Sequence, residues 1–210
     1  SIFERSKISM KVLVTGGAGY IGSHTILALL ERGYNEIYSI DNYLNSDEQT
    51  YSRIGKISGH RVKHFNIDLA DFKQVDNFFA QHQIDGIIHF GALKSVPESV
   101  DSPLLYYHNN LNGLLNLVNQ IKKRPEMMLI FSSSCSVYGN VEKLPVTEDT
   151  PLGVAESAYA RSKQISEMVI EDFARSKVSF QSIILRYFNP AGAHPSNEIG
   201  EDSFGRPIYL

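Results

Sequence analysis

Val12-Leu13-Val14-Thr15-Gly16-Gly17-Ala18-Gly19-Tyr20-Ile21-Gly22 runs straight into Ser23-His24-Thr25-Ile26-Leu27-Ala28-Leu29-Leu30. A β-branched apolar run is thus joined to a helical pattern through glycines at every third position, 16, 19 and 22. At a strand-to-helix junction Gly16 permits the tight turn, Gly19 removes a side chain where a pyrophosphate must approach, and Gly22 lets helix and sheet pack closely. The helix N-terminus then offers N–H groups and the positive end of its dipole to the phosphates. Glycines alone are also the mark of an ordinary βα turn. Asp41, nineteen residues after Gly22, sharpens the reading: it ends a second apolar run, Ile37-Tyr38-Ser39-Ile40. A carboxylate there accepts the ribose hydroxyls of NAD and repels the 2′-phosphate of NADP, although aspartate is common at any strand end.

Outward from this motif, apolar β-branched runs at 11–15, 36–40, 61–67, 85–90, 127–132 and 180–187 alternate with helical periodicity at about 20–32, 71–82, 99–123 and 156–176. The strands are continuously apolar rather than alternating, the pattern of a parallel sheet covered on both faces. The fold class predicted is α/β, a doubly wound (Rossmann) parallel sheet with helices on both faces. Residues 1–9 read as a polar leader or tag, with Met10 as a natural start. Residues 10–190 are expected to form the NAD-binding Rossmann domain, and the Gly/Pro-rich 191–210 follows without another regular element.

The 210 residues are 42% hydrophobic and 20% charged, which excludes a disordered tail. A net charge of −3 without Lys/Arg blocks makes no case for a nucleic-acid or anionic membrane partner. No run reaches the ~18 apolar residues of a membrane span. The single cysteine, Cys135, cannot form an internal disulfide, so a reducing cytoplasm is the expected compartment. No metal-ligand framework is present, and no metal is expected.

Two further segments carry chemistry. Tyr159 and Lys163, four apart on a predicted helix, share one face. A phenol with pKa near 10 is a poor base at neutral pH, but an adjacent ammonium and a positive nicotinamide both favour phenolate. Without the glycine motif, a surface tyrosine beside a solvated lysine is the ordinary reading of this spacing. Phe131-Ser132-Ser133-Ser134-Cys135-Ser136-Val137-Tyr138-Gly139 follows an apolar strand, so its hydroxyls fall at the carboxyl end of the sheet, where such folds place ligands. No Gly-x-Ser-x-Gly elbow supports a serine nucleophile; a Ser-rich turn is the plain alternative. His24, His89 and His194 read as residues that satisfy backbone groups.

The segments TGGAGYIGSH, HFGALKSVPESV, FSSSCSVYG, YARSK and LRYFNPAGAHPS, with the run Tyr106 to Gly113, resemble the extended short-chain dehydrogenase/reductases, and among them the UDP-glucose (UDP-galactose) 4-epimerases. The resemblance implies an isomerase in which hydride passes from C4 of the sugar to bound NAD and back to the opposite face, interconverting UDP-glucose and UDP-galactose. It implies that Tyr20 and Ile21 open the phosphate-binding helix beside Gly16, Gly19 and Gly22. Asp41, Asn42, Asn45 and Ser46 hold the adenosine ribose side, and Asp68 and Leu69 flank adenine. Phe90, Gly91, Ala92 and Lys94 pass along the cofactor, with polar contacts from Lys94 and Asn109. Ser134, Tyr159 and Lys163 form the catalytic triad, all three touching the cofactor. Phe188 adjoins the nicotinamide, and Lys94, Ser134, Tyr159 and Asn189 meet the substrate. Cys135-Ser136 stands where sugar-nucleotide dehydratases carry Asp-Glu, which argues against dehydration; Cys135 itself reads as a small core-facing residue. A homodimer through the helices bearing Leu111, Leu114, Leu115 and Val118 and Ile165, Met168, Val169 and Phe173 is implied as well. Relatives of this kind are longer, which implies that 191–210 begins a C-terminal substrate lobe that is largely absent; Ile208-Tyr209-Leu210 replaces their Asn-Asn-Leu, so a truncated form with weak turnover is expected. The alternatives are an NAD-binding module without turnover and another NAD-dependent sugar-nucleotide epimerase, decarboxylase or reductase.

Overall fold

All six apolar runs become strands: β1 Ile8–Thr15, β2 Tyr34–Asp41, β3 Lys63–Asn66, β4 Gly86–His89, β5 Met128–Ser134 and β6 Ser182–Tyr187. The computed structural model describes residues 8–176 and 179–201; the predicted leader residues 1–7 and the segment 202–210, with Ile208-Tyr209-Leu210, lie outside the described residues. The strands pair in the order β3-β2-β1-β4-β5-β6, all parallel, so the chain crosses over after β3 and resumes beside β1. That reversal opens a crevice at the carboxyl ends of β1 and β4, the position at which doubly wound sheets bind ligands.

Continuous apolarity in the strands follows from a core on each face. Leu13, Ile87, Leu129 and Phe131 pack with Leu114, Leu117, Ile121 and Ile170 on one side. Val12, Val14 and Ile37 pack with Ile26, Leu27, Leu30 and Ile54 on the other. Successive strand residues therefore serve opposite cores, and a polar face has no place in the pattern. The covering helices are α1 Tyr20–Glu31, α2 Gln49–Ser58, α3 Phe72–Gln81, α4 Val96–Asp101, α5 Pro103–Lys123 and α6 Ala158–Ser176. No helix among the described residues is long and apolar enough to cross a membrane.

The structure departs from the sequence reading at three places. Helix α2 was not expected: its apolar residues are three, Tyr51, Ile54 and Ile57, interrupted by Gly55, and it is held by tertiary contacts. Tyr51 shares a hydrogen bond with Ser39 of β2 (2.7 Å) and stacks on His64 at 4.3 Å between ring centroids. The single helix expected over 99–123 is two helices, because Pro103 at the start of α5 forces Ser102 out of helical conformation (φ −130°, ψ 60°). Strand β1 begins at Ile8, ahead of the predicted boundary at Met10, with an irregular register between Ile8 and Lys11. Residues 191–201 pack on the Rossmann domain. The Tyr20 hydroxyl donates to the Gly192 carbonyl (2.6 Å), Ile199 is buried beside Ala18, Tyr51 and Ile54, and the Lys94 ammonium meets the Glu201 carboxylate at 3.0 Å.

Leu114 is fully buried, whereas Leu44 is 61% exposed. Leu114→Ala is expected to lower the unfolding free energy by about 2–5 kcal/mol through lost transfer energy and a cavity. Leu44→Ala should change it by less than about 0.5 kcal/mol. Urea unfolding of the two variants beside the parent checks the difference.

Candidate active site

The loop between β1 and α1 is closed by contact. Gly16 has φ +68°, and a β-carbon there would lie 2.7 Å from the Gly91 backbone nitrogen; one on Gly22 would collide with the Gly16 carbonyl oxygen. At Gly19 the only near atom would be the Gly16 oxygen, at 3.3 Å, so that position faces open space. Gly19 is the extended N-cap of α1, no side chain caps the helix, and the first turn carries no acidic residue. Uncapped N–H groups at a positive dipole end beside a side-chain-free position suit an anion, and phosphate most of all.

Asp41 turns its carboxylate toward this loop. Its Oδ2 accepts from the Ala18 amide at 3.1 Å; its Oδ1 accepts from the Tyr43 amide at 3.0 Å and the Ser46 hydroxyl at 2.9 Å. Asn45 and Ser46 line a pocket with Ala18, Gly19 and Tyr20, to which Thr50, Arg53, Ile199 and Gly200 also contribute. Asn42 turns back locally, accepting from the Leu44 amide at 3.2 Å. Asp68 likewise accepts from the Ala70 amide at 2.9 Å, and Leu69 packs beneath Gly91 and Gly113.

The second wall is the 89–94 loop. His89 is buried and shares a hydrogen bond with Thr15 (2.7 Å), whose hydroxyl also accepts from the Gly91 amide at 3.3 Å. Buried Asn110 reads the Leu93 backbone on both sides, accepting from its amide (2.9 Å) and donating to its carbonyl (3.1 Å), and donates to the Ser162 hydroxyl. Phe90 and Ala92 follow β4 along this wall, and Asn109 is half-buried on α5 beside Asn110. Lys94 lies at the rim, paired with Glu201.

At the end of β5 the chain enters a single 3-10 turn, Cys135–Tyr138, capped by Ser134, whose hydroxyl accepts from the Ser136 amide at 3.2 Å and the Ser136 hydroxyl at 3.0 Å. Ser134 also approaches the Tyr159 phenol from α6. Burial pushes the Tyr159 pKa up; the Ser134 hydrogen bond works against that, and the charge of Cys135 adds to it. One turn on, Lys163 is buried with its ammonium donating to the Ser132 carbonyl at 2.6 Å, 6.0 Å from the Tyr159 ring centroid and 4.9 Å from that of Phe131. Burial pushes its pKa down to about 8 against the opposing field of Glu167.

Ser134, Tyr159 and Lys163 are thus brought together. The direct ammonium–phenol tuning expected from their spacing is replaced by an ammonium anchored on the strand backbone. Cys135, expected in the core, is half-exposed beside Tyr159 because the 3-10 turn lifts it off the sheet. Phe188 is exposed and stacks toward Tyr138 at 6.3 Å, and Asn189 is exposed with φ +24°. Of the three histidines, only His89 has no backbone partner. His24 bonds the Tyr20 carbonyl, and Ser196 donates its amide to His194.

The match to the model of the NAD dependent epimerase/dehydratase family runs from residue 12 to residue 204. The chain belongs to that family. Among relatives similar to it, the UDP-glucose 4-epimerase of Yersinia enterocolitica is 44% identical over 201 residues, covering 96% of this chain and 60% of that protein. The Bacillus subtilis UDP-glucose 4-epimerase is 46% identical, covering 96% and 59%. The crystal structure of the Bifidobacterium longum UDP-glucose 4-epimerase in complex with NAD+ and UDP superposes with a TM-score of 0.92 at 44% identity, over 96% of this chain and 60% of that one. This member of the epimerase/dehydratase family thus spans about three fifths of the length of the relatives it matches.

Several residues of the site went unread in the sequence. Thr15, Asn110, Glu167 and Arg186 act on backbone or on one another across 17 to 76 positions, beyond the reach of any local motif. A visible signal existed for Arg186, a cation inside an apolar strand, and for Glu167, one helical turn past Lys163.

Burial, reinforced by the Lys163 charge, pushes the His89 pKa from 6.5 down to about 3. The folded protein therefore binds fewer protons there than the unfolded chain, so stability from this residue is complete above pH 6.5 and is lost as pH falls toward 3. Imidazole NMR signals of His89 should stay in the neutral position down to pH 4, while the unfolding free energy declines through the same range.

Proposed function

We propose that this chain binds NAD between the glycine loop, Asp41 and the 89–94 loop, and that it carries the reacting groups of a UDP-sugar 4-epimerase interconverting UDP-glucose and UDP-galactose. The observation that carries the reading is the convergence of Ser134, Tyr159 and Lys163 at the sheet end, beside a helix N-terminus left uncapped where Gly19 faces open space. The fit to NAD rests on those features. The helix end takes a pyrophosphate, and Asp41, already oriented by three donors, presents a carboxylate to ribose hydroxyls and opposes a 2′-phosphate.

Bound here, NAD supplies a hydride acceptor and donor for C4 of the sugar and, through its nicotinamide charge, a field that favours the Tyr159 phenolate. Tyr159 takes the proton of the 4-hydroxyl and returns it when C4 is reduced from the other face. Ser134 hydrogen-bonds the same oxygen and draws the phenol's pKa down. Lys163, fixed on the Ser132 carbonyl, keeps a positive charge behind the pair. Asn109, Lys94, Phe188 and Asn189 would complete the contacts to cofactor and sugar nucleotide. Lys94 must exchange its Glu201 partner to do so. Cys135-Ser136 in place of an Asp-Glu pair supports epimerisation over dehydration. The free thiol of Cys135 supports a reducing, cytoplasmic setting.

A second copy of the chain is proposed as partner. Leu114 and Val118, read from sequence as part of this face, lie in the core with Leu117. The apolar stripe left outside is Leu104, Leu115 and Met168, with half-exposed Leu111 and Ile165 beside them, on neighbouring helices α5 and α6. Two such pairs make a four-helix interface.

Calorimetric titration should show NAD binding with NADP markedly weaker, and Gly19→Ala should lose at least about tenfold in NAD affinity while unfolding like the parent, since its β-carbon meets protein only at 3.3 Å. Conversion of UDP-galactose should disappear in Tyr159→Phe. NAD bound without turnover would reduce the reading to a cofactor-binding module, and no NAD binding would overturn it. Sedimentation should give a dimer at micromolar concentration that Leu115→Glu/Met168→Glu converts to monomer; a parent chain already monomeric there overturns the proposed partner.

A further inference from the structure

Glu167 and Arg186 take no part in the chemistry above, yet they form the most buried ion pair among the described residues, with side chains 1% and 20% exposed. Arg186 donates in a fork, Nη2 to Oε2 at 2.8 Å and Nε to Oε1 at 3.1 Å, and the Ser133 hydroxyl donates to Oε1 as well. The remaining arm of the guanidinium donates from Nη1 to the Tyr138 hydroxyl at 3.0 Å, which donates on to the Thr147 carbonyl at 3.1 Å. One pair therefore ties α6 to β5, β6 and the turn that follows Ser134. A buried pair of this kind is often no more stable than apolar residues of the same volume, so stability alone does not account for it.

Its placement does. The Ser133 hydroxyl held on Glu167 fixes the strand end at the residue just before Ser134, whose hydroxyl meets the Tyr159 phenol of the same helix. The carbonyl of Ser132, on the other flank of Ser133, is the acceptor of the Lys163 ammonium. Glu167 itself lies four residues after Lys163, on the same face of α6.

We infer that Glu167 is a positioning residue for the Ser134, Tyr159 and Lys163 centre. Clamped by Arg186, it sets the end of β5 through Ser133, and its carboxylate is the charge that keeps the buried Lys163 ammonium charged. The inference rests on the functional reading of those three residues. The groups facing Lys163 are His89 from β4, the Phe131 ring and Ser132 carbonyl from β5, Tyr159 and Glu167 from α6 and, behind Glu167, Arg186 from β6. His89 is neutral and Tyr159 is protonated, which leaves Glu167 as the anion of the set. It alone raises the Lys163 pKa against burial.

The test is the titration of Lys163 in the full chain labelled with [13Cε]lysine, the resonance being identified by its loss in Lys163→Met. The parent midpoint should fall near 8. Glu167→Gln should weaken proton binding by Lys163 about tenfold, moving the midpoint to lower pH, while Arg186→Gln, which leaves the carboxylate uncompensated, should move it to higher pH. A merely structural role would not give opposite displacements. An unchanged midpoint in either folded variant, or movement in one direction in both, overturns the inference. If one variant does not fold, the direction in the other decides. No NAD or sugar nucleotide enters these titrations, so their outcome is separate from the NAD titration that tests the functional reading.

Discussion

The seat of α1 on the end of β1 is the contact on which the rest of the structure depends. Gly22 lies so close to the Gly16 carbonyl oxygen that no β-carbon fits between them, and Gly16 in turn lies against the backbone of Gly91. Helix, strand and the β4 loop therefore meet backbone to backbone. Because nothing but main chain occupies this junction, the helix can point its free N–H groups into the crevice where the sheet order reverses. The two cores on either side of the sheet hold that junction rigid.

Around it, charge is handled by burial and partnership rather than by solvent. His89 is kept neutral at the floor of the crevice; Lys163 keeps its charge on a lowered pKa of about 8, its ammonium donating to the Ser132 carbonyl. Glu167 and Arg186 compensate one another at the next layer. A phenol held half-buried beside such groups responds strongly to any cation brought alongside, since each charge acts with little water to screen it. The protonation of Tyr159 is therefore set less by the phenol itself than by what stands behind it.

The segment 191–201 gives the crevice a rim. Gly192 accepts from Tyr20 in the first turn of α1, and Glu201 reaches Lys94 on the opposite wall, while Ile199 is anchored in the core beside Ala18. A loop of this composition carries no periodicity, and its course is fixed by these three contacts, each with residues far away in sequence.

Much of this was legible in the chain itself. The glycine spacing, Asp41 at a strand end, the continuously apolar strands and the Tyr159–Lys163 spacing each express a local rule, a turn, a face or a period, and local rules are readable within a few residues. Helix α2, by contrast, has too little apolar signal to declare itself and exists because Tyr51 finds Ser39 and His64. The orientation of Lys163 toward Ser132 rather than Tyr159, the half-exposure of Cys135 and the pairing of Glu167 with Arg186 depend on which strand end meets which helix face. The sequence by itself determined the doubly wound fold, the glycine loop between β1 and α1 and the spacing of Tyr159 and Lys163. Tertiary structure alone decided their protonation, their partners and the direction in which each one points, because burial and long-range contact, not neighbouring residues, fix those energies.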